Sequence, residues 1–217
     1  MASLIFWDED TQNDFILPEG KLYVRGAETL RSTLGALTRF AHDRAVPIVA
    51  SADDHDVTNP EISATPDWST TFPPHCMRGT VGQRKIPETT LKNPQVLEPV
   101  VEDPTALARR VRGHRGDFLL LKHELDTFSN PNTRVVLEAL APEAIVLYGV
   151  ATDFCDRLAI EGLLRERGES ALFFVTDAAR AIDPARGDAL MREWAGRGVR
   201  LVSARDVLAG VGLERWL

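Results

Sequence analysis

The sequence lacks the features that mark membrane-spanning, disulfide-rich and nucleic-acid-binding proteins. No apolar run approaches the roughly 20 residues needed to cross a bilayer, and the opening MASLIFWDED has neither a basic leader nor a small-residue cleavage site. Two cysteines are too few for a disulfide framework, so Cys76 and Cys155 are expected to be separate thiols. The net charge of -7 disfavours a surface that tracks nucleic-acid phosphates. We therefore expect a cytoplasmic protein with no nucleic-acid or membrane partner.

The composition is that of a compact globular protein. Hydrophobic residues make up 44% and charged residues 26% of the 217 residues, close to the globular average. The chain is long enough to bury a sizeable core and falls within the usual range for one domain. Internal repeats and low-complexity linkers are absent. We expect a single domain over residues 1–217.

Short apolar runs alternate with amphipathic stretches along the chain. Uninterrupted apolar runs are typical of parallel strands covered on both faces. Amphipathic patterns predict helices over 27–45, 156–167 and 184–197, the last beginning with an N-cap Asp183 followed by Pro184. The alternation predicts a doubly wound α/β fold with helices on both faces of a mainly parallel sheet. The six predicted strands are 4–7, 48–50, 118–121, 145–148, 172–175 and 199–202.

The region from about 53 to 97 breaks this alternation, because Pro, Thr, His and Asp replace periodic apolar residues. Long irregular segments in compact domains are usually functional. In an open α/β sheet, ligands bind outside the carboxyl ends of the strands. Polar residues follow the first four predicted strands, so we expect them to converge at one sheet edge: 8–14, 53–55, 122–123 and 152–155.

Cys155 follows a predicted buried strand and begins a predicted helix. Unpaired backbone N–H groups and the helix dipole at such a position favour thiolate, the reactive form. A buried structural cysteine is an equally good interpretation of this turn alone. Lys122 ends another predicted strand and Asp10 follows the first, so a base and a cation are available to a thiol nucleophile. Neighbouring carboxylates, such as Asp8 and Asp14, leave the choice of base open.

The irregular region contains residues suited to a metal site. Asp53 and His55 are two residues apart at a strand end and point the same way, and Glu61 and His75 follow. Mixed imidazole and carboxylate ligands suit Zn, Fe, Mn or Co. A chance cluster of polar loop residues explains the same pattern.

Three blocks, in the right order, resemble the isochorismatase-like cysteine hydrolases. Residues 10–15, DTQNDF, resemble the family's D-x-Q-x-D-F opening, and residues 149–155, GVATDFC, resemble its nucleophile turn. Lys122 falls on the strand-end lysine between them. Residues 72–80, FPPHCMRGT, together with residues 53–55, resemble the W-P-x-H-C-x-x-G-T wording of the metal-bearing branch, the nicotinamidases. The resemblance extends from Leu4 to about Ala181.

This resemblance implies a Rossmann-like domain of about six strands and a set of site residues. One divalent metal ion is implied, with Zn expected and Fe, Mn or Co as alternatives; many relatives place a His where this chain has Glu61. A cis peptide at Val150-Ala151 is also implied. The implied catalytic residues are Asp10, Lys122 and Cys155, the oxyanion-hole donors are the N–H groups of Ala151 and Cys155, and the metal ligands are Asp53, His55, Glu61 and His75.

Aromatic residues in the motifs imply a substrate site. Phe15, Phe72 and Phe128 fall where relatives place rings against the substrate, with Phe72 replacing a common Trp and Phe128 a common Tyr. Core packing is the alternative for each of the three.

The resemblance implies cleavage of nicotinamide to nicotinate and ammonia, a step of NAD salvage, through a thioester on Cys155. The alternatives are the same chemistry on another small amide or ureide, and a non-enzymatic metal-binding or interaction module. Vinyl-ether hydrolysis is disfavoured because Cys155 is present. Relatives also imply a homo-oligomer.

Overall fold

A computed structural model describes residues 3–166 and 168–217 of the chain. Its centre is a seven-stranded sheet in which every strand pair is parallel, in the order β3-β4-β2-β1-β5-β6-β7. The strands are β1 Leu4–Glu9, β2 Ile48–Asp53, β3 Gln95–Leu97, β4 Phe118–Lys122, β5 Ala144–Val150, β6 Ala171–Arg180 and β7 Arg200–Val202.

The predicted α/β fold is confirmed, with one strand more than expected. All six predicted strands are present, and β1, β2 and β5 are buried along their whole length. The additional strand, β3, is three residues long and lies at the end of the segment that the sequence predicts to be irregular. Its short Gln95-Val96-Leu97 run is too brief to stand out as a strand pattern.

Helices cover both faces of the sheet. Side chains of β1 alternate between two core clusters: Leu4 and Phe6 pack on the face covered by α2 and α7, and Ile5 and Trp7 on the face covered by α3 to α6. The helices are α1 Asn13–Ile16, α2 Arg31–Asp43, α3 Pro104–Gly113, α4 Thr133–Leu140, α5 Cys155–Glu166, α6 Pro184–Gly196 and α7 Ala204–Ala209; 3-10 turns are Ala27–Leu30, Pro87–Thr89 and Thr127–Ser129.

The predicted helices match three of these elements. The stretch 27–45 is a 3-10 turn followed by α2, and 184–197 is α6, whose N-cap Asp183 accepts from two backbone N–H groups. The stretch 156–167 corresponds to α5, although Arg167 lies outside the described residues. Helices α1, α3, α4 and α7 were not predicted.

The segment that follows β2 is held by hydrogen bonds rather than by regular elements. The backbone N–H of Cys76 donates to the Asp14 carboxylate over 2.7 Å, and that of His55 donates to the Cys76 carbonyl. Cys76 and Cys155 are free thiols, as expected. None of the described helices is long and apolar enough to span a bilayer. The single domain over 1–217 stays a prediction.

The strand order brings the polar strand ends together. The chain runs outward from β1 to β2 in one direction and continues on the other side through β5, so the sheet order reverses next to β1. A crevice forms outside the carboxyl ends of strands at such a reversal. This position is where Asp10, Asp53, Lys122 and the residues after β5 lie.

Candidate active site

Asp10, Lys122 and Cys155 lie together at this edge of the sheet. Asp10 follows β1, Lys122 is the last residue of β4, and Cys155 is the first residue of α5. The Lys122 ammonium nitrogen lies 2.9 Å from Asp10 Oδ2 and 4.0 Å from Cys155 Sγ. All three side chains are buried. A carboxylate, an ammonium group and a thiol therefore form one desolvated cluster.

The Asp10 carboxylate is held by Ser51, which sequence reasoning missed. Asp10 has a left-handed backbone conformation, with φ of 47°. The Ser51 hydroxyl donates to Asp10 Oδ1 over 2.6 Å and accepts from the Asp10 N–H over 3.1 Å. The signal in the sequence was a serine inside the otherwise apolar start of β2. This double contact fixes the orientation of the carboxylate.

The turn before Cys155 is tightly constrained. A cis peptide joins Val150 and Ala151, as the motif implied, and the Ala151 carbonyl accepts from the N–H groups of Phe154 and Asp156. Gly149 has a φ of 149°, and a Cβ there would lie 2.1 Å from the Glu9 carbonyl oxygen. The N–H of Cys155 belongs to the first residue of α5, where backbone donors have no partner within the helix.

Charge and burial determine the resting state of the nucleophile. Burial raises the pKa of the Cys155 thiol well above its usual range; Lys122 opposes this shift, and the neighbouring acids Asp10, Asp53 and Glu9 add to it. Burial therefore opposes the thiolate that the position at the start of α5 favours. The Lys122 pKa is held well above its usual range by the surrounding anions, although burial opposes this.

A second buried cluster adjoins the first. Asp53, His55, Glu61 and His75 each direct one ligand atom toward a common centre, and these atoms lie within 4.8 Å of one another. Asp53 joins the two clusters, because its Oδ1 accepts from the Lys122 ammonium and its Oδ2 lies 3.4 Å from His75 Nε2. The Gln12 amide fixes the Asp53 backbone by donating to its carbonyl and accepting from its N–H, both over 2.8 Å.

The donor set fits a divalent metal ion. Asp53 Oδ2, His55 Nε2, Glu61 Oε1 and His75 Nε2 are buried, and none of them has a hydrogen-bond partner. Buried polar atoms are normally satisfied, so four orphaned donor atoms around one point indicate a ligand that binds them. Two imidazoles and two carboxylates are the mixture that zinc and related ions accept.

The electrostatics agree with this fit. Although burial raises it, the pKa of Asp53 is held well below its usual range by Lys122 and both imidazoles. Burial lowers the pKa of His75, but the Asp53 and Glu61 carboxylates, 3.4 Å and 3.6 Å from its Nε2, raise it to about 10. The cluster is thus a strongly anionic centre that favours positive charge.

A narrow cavity connects the two clusters to solvent. Its ionisable lining consists of Asp53, Glu61, His75 and Cys155. The remaining lining residues are apolar: Phe15, Leu22, Val24, Phe72, Leu125, Val150, Ala151, Phe154 and Ile182. Phe154 was not among the predicted residues; its ring packs edge-on against Phe72, with ring centroids 5.8 Å apart.

Phe15 and Phe72 line this cavity, whereas Phe128 does not. The Phe128 ring stacks on Trp7 with centroids 6.0 Å apart, inside the core on the α3 to α6 face of the sheet. A Cβ at Gly162 of α5 would lie 2.2 Å from this ring, so the helix packs directly against it. The expectation that Phe128 contacts substrate is corrected, because its ring is used in helix packing.

The chain is similar in sequence and in fold to known proteins. Over 73 residues, the chain is 38% identical to the nicotinamidase/pyrazinamidase of Mycobacterium tuberculosis; the match covers 34% of this chain and 38% of that relative. The chain is similar in fold to the pyrazinamidase of Pyrococcus horikoshii, solved in complex with zinc, with a TM-score of 0.71, 19% identity and coverage of 93% of this chain and 99% of that one.

A second solved structure has a different substrate in its name. The N-carbamoylsarcosine amidase of Thermoplasma acidophilum has a TM-score of 0.68 and 23% identity, covering 94% of this chain and 97% of that one. The isochorismatase domain family matches residues 3–206. The chain therefore belongs to the isochorismatase domain family, as its motifs implied.

Proposed function

We propose that this protein is a metal-dependent amide hydrolase of the nicotinamidase type that uses Cys155 as its nucleophile. The observation that supports this most directly is the position of Lys122, 2.9 Å from the Asp10 carboxylate and 4.0 Å from the Cys155 sulfur inside a buried site. Acyl transfer requires a nucleophile and a group that accepts and returns its proton. Here the thiol and the carboxylate lie on either side of one ammonium group.

In the proposed reaction, Asp10 accepts the Cys155 proton while the sulfur attacks the carboxamide carbon. Lys122 remains charged and offsets the negative charge that passes between the two groups. The N–H groups of Ala151 and Cys155 donate to the tetrahedral oxyanion, at about 3 kcal/mol per donor. Asp10 returns the proton to the departing nitrogen, so that ammonia leaves and an acyl thioester remains on the sulfur.

Hydrolysis completes the cycle. Asp10 takes a proton from water, and the hydroxyl adds to the thioester carbonyl. Collapse of the intermediate breaks the carbon–sulfur bond and releases a carboxylic acid, while Asp10 returns its proton to the sulfur and regenerates the thiol. The resting thiol suits this cycle because its proton is needed by the leaving amine.

Asp53, His55, Glu61 and His75 would hold the metal. When bound, a divalent cation would supply a Lewis-acidic coordination position beside the cavity, for which a ring nitrogen is a suitable ligand. We expect Zn, with Fe, Mn or Co as alternatives.

The cavity lining favours an uncharged aromatic amide over a carboxylate-bearing ureide. Apart from the metal-site residues and Cys155, every lining side chain is apolar, including the rings of Phe15, Phe72 and Phe154. The nearest ammonium, that of Lys122, is already paired with two carboxylates. Apart from the metal site, the lining therefore offers no lysine or arginine to pair with a substrate carboxylate, so its desolvation would be costly. Nicotinamide is the substrate that we propose.

Ammonia release by the metal-loaded protein tests this proposal. We would compare nicotinamide with benzamide, which lacks the ring nitrogen, and with an N-carbamoyl amino acid. Nicotinamide should be cleaved with a kcat/KM at least about tenfold above that of benzamide, and Cys155→Ala should release no ammonia. Preference for the N-carbamoyl amino acid would reject the substrate, and ammonia release by Cys155→Ala would reject the nucleophile.

A further inference from the structure

One buried carboxylate beside the catalytic residues has no place in the reaction described above. Glu9 is the last residue of β1 and has no exposed surface. Its side chain lies on the same sheet face as Trp7, because residues two apart on a strand point the same way. The Trp7 indole N–H donates to Glu9 Oε2 over 2.7 Å, and the Thr127 hydroxyl donates to Oε1.

Glu9 directly precedes Asp10 and is paired with Gly149 of β5, which leads into the turn before Cys155, so it lies beside the catalytic residues. It raises the pKa of both Lys122 and Cys155, and the Asp10 carboxylate in turn raises the pKa of Glu9. The anionic groups around the nucleophile already include Asp10 and Asp53. A further full negative charge would oppose formation of the thiolate, because like charges in a low-dielectric site repel strongly.

A second buried acid, Asp156 on α5, interacts with Glu9 and Asp10 but differs from Glu9 in its hydrogen bonding. No hydrogen bond of normal geometry reaches either of its carboxylate oxygens. Burial raises its pKa well above the usual range, and Glu9 and Asp10 raise it further. Burial without hydrogen bonds favours the protonated form of Asp156, whereas the two hydrogen bonds that Glu9 accepts support its ionised form.

The ionisable groups that act on Glu9 and Asp156 come from each element packed against them. They are Asp10 after β1, Lys122 on β4, Asp153 in the nucleophile turn, Cys155 on α5, and the two acids themselves.

We propose that Glu9 is a positioning residue that must keep its proton for Cys155 to react, so that its ionisation sets the alkaline limit of the enzyme. Burial, followed by the charge of Asp10, raises the pKa of Glu9 to about 8, which places this limit within an accessible range. At pH values above the pKa of Glu9, its negative charge destabilises the Cys155 thiolate, and the catalytic side chains keep their positions. The inference rests on the proposed function only in taking Cys155 as the nucleophile.

Glu9→Gln is the decisive variant, because an amide reproduces the neutral carboxyl and can accept from Trp7 while donating to the Thr127 oxygen. Asp156→Asn is the matched control, since it replaces a neighbouring buried acid that accepts no hydrogen bond. We would measure kcat/KM for nicotinamide, and separately the rate of Cys155 alkylation by iodoacetamide, against pH, on metal-loaded proteins of equal metal content. The alkylation rate needs no amide substrate.

In the wild type and in Asp156→Asn, kcat/KM should fall by about tenfold per pH unit above about pH 8. In Glu9→Gln this decline should be absent over the same range, and alkylation at about pH 9 should be at least about threefold faster than in the wild type, the factor for half a pKa unit. The proposal would be overturned if Glu9→Gln changed neither the decline of kcat/KM at alkaline pH nor the alkylation rate. Equal effects of both variants would overturn it as well, because they would indicate disturbed packing.

The two readouts separate this inference from the proposed function. If nicotinamide is not cleaved but Glu9→Gln still accelerates alkylation, the role of Glu9 stands and the substrate is wrong. If nicotinamide is cleaved but both readouts are unaffected by the variant, the function stands and the role of Glu9 is wrong.

Discussion

The Lys122 ammonium and the Asp10 carboxylate lie 2.9 Å apart with neither side chain exposed to solvent. Lys122 also pairs with Asp53, so one cation neutralises a carboxylate of the proposed catalytic cluster and a carboxylate of the proposed metal site. Any change at this lysine should therefore affect both clusters.

Lys122→Met should abolish most activity and lower stability. Removing one partner of a buried ion pair leaves an uncompensated charge, at a cost of about 3 to 5 kcal/mol. We expect kcat/KM to fall by about a hundredfold or more. Lys85→Met is the control, since Lys85 pairs with buried Asp8 over 3.2 Å and is largely buried outside the cavity lining. It should lose stability in chemical denaturation while keeping kcat/KM; equal loss of activity in both variants would show that stability alone explains the effect.

The sequence predicts which three side chains cluster at the sheet edge better than it predicts the residues that surround them. Asp10, Lys122 and Cys155 are found from strand ends and motif order, because parallel strands bring their carboxyl ends to one edge. Ser51 and Phe154 were missed, since a serine within a strand and an aromatic in a turn carry no periodic signal. Phe128 was misassigned because a motif position does not reveal on which side of the sheet a ring packs.

Glu61→Gln should greatly weaken metal binding, because a neutral amide is a poorer ligand than a carboxylate. Mass-spectrometric metal analysis after dialysis should give a lower metal content than in the wild type, together with a lower Tm, since metal binding to the folded state stabilises it. Asp67→Asn is the control. Asp67 is an exposed acid of the same segment that accepts from the backbone of Ser69, Thr70 and Thr71. Equal metal content in all three proteins would contradict the site.

Phe72→Leu and Phe128→Leu should have different effects although both rings are buried. Phe72 lines the cavity, so its substitution should raise KM for nicotinamide by about fivefold or more. Phe128 stacks on Trp7 in the core, so its substitution should lower Tm and leave KM within about twofold. Steady-state kinetics and thermal unfolding of both variants distinguish the two roles. A raised KM in Phe128→Leu would mean that the ring acts on substrate after all.

The wild-type protein should lose stability relative to Glu9→Gln as pH rises from about 5 to about 8. The folded-state pKa of Glu9, about 8, is above the ordinary carboxyl value of 4.5 because of burial and the charge of Asp10. Between these two pKa values the folded state binds more protons than the unfolded state. The contribution of Glu9 to the free energy of unfolding is therefore complete below its unfolded-state pKa and is lost as pH rises to its folded-state pKa. Urea unfolding of both proteins at a series of pH values measures the difference, and a constant difference would contradict the raised pKa.

The central claim is that Cys155 becomes acylated during amide hydrolysis, and mass spectrometry of a rapidly quenched reaction tests it most directly. With metal-loaded protein and nicotinamide, the peptide containing Cys155 should gain the mass of the acyl group within the first turnover, and hydroxylamine should divert the product to a hydroxamic acid. Cys155→Ala should show neither the adduct nor ammonia release. Ammonia release by Cys155→Ala, or an acyl group found on another residue, would contradict the account.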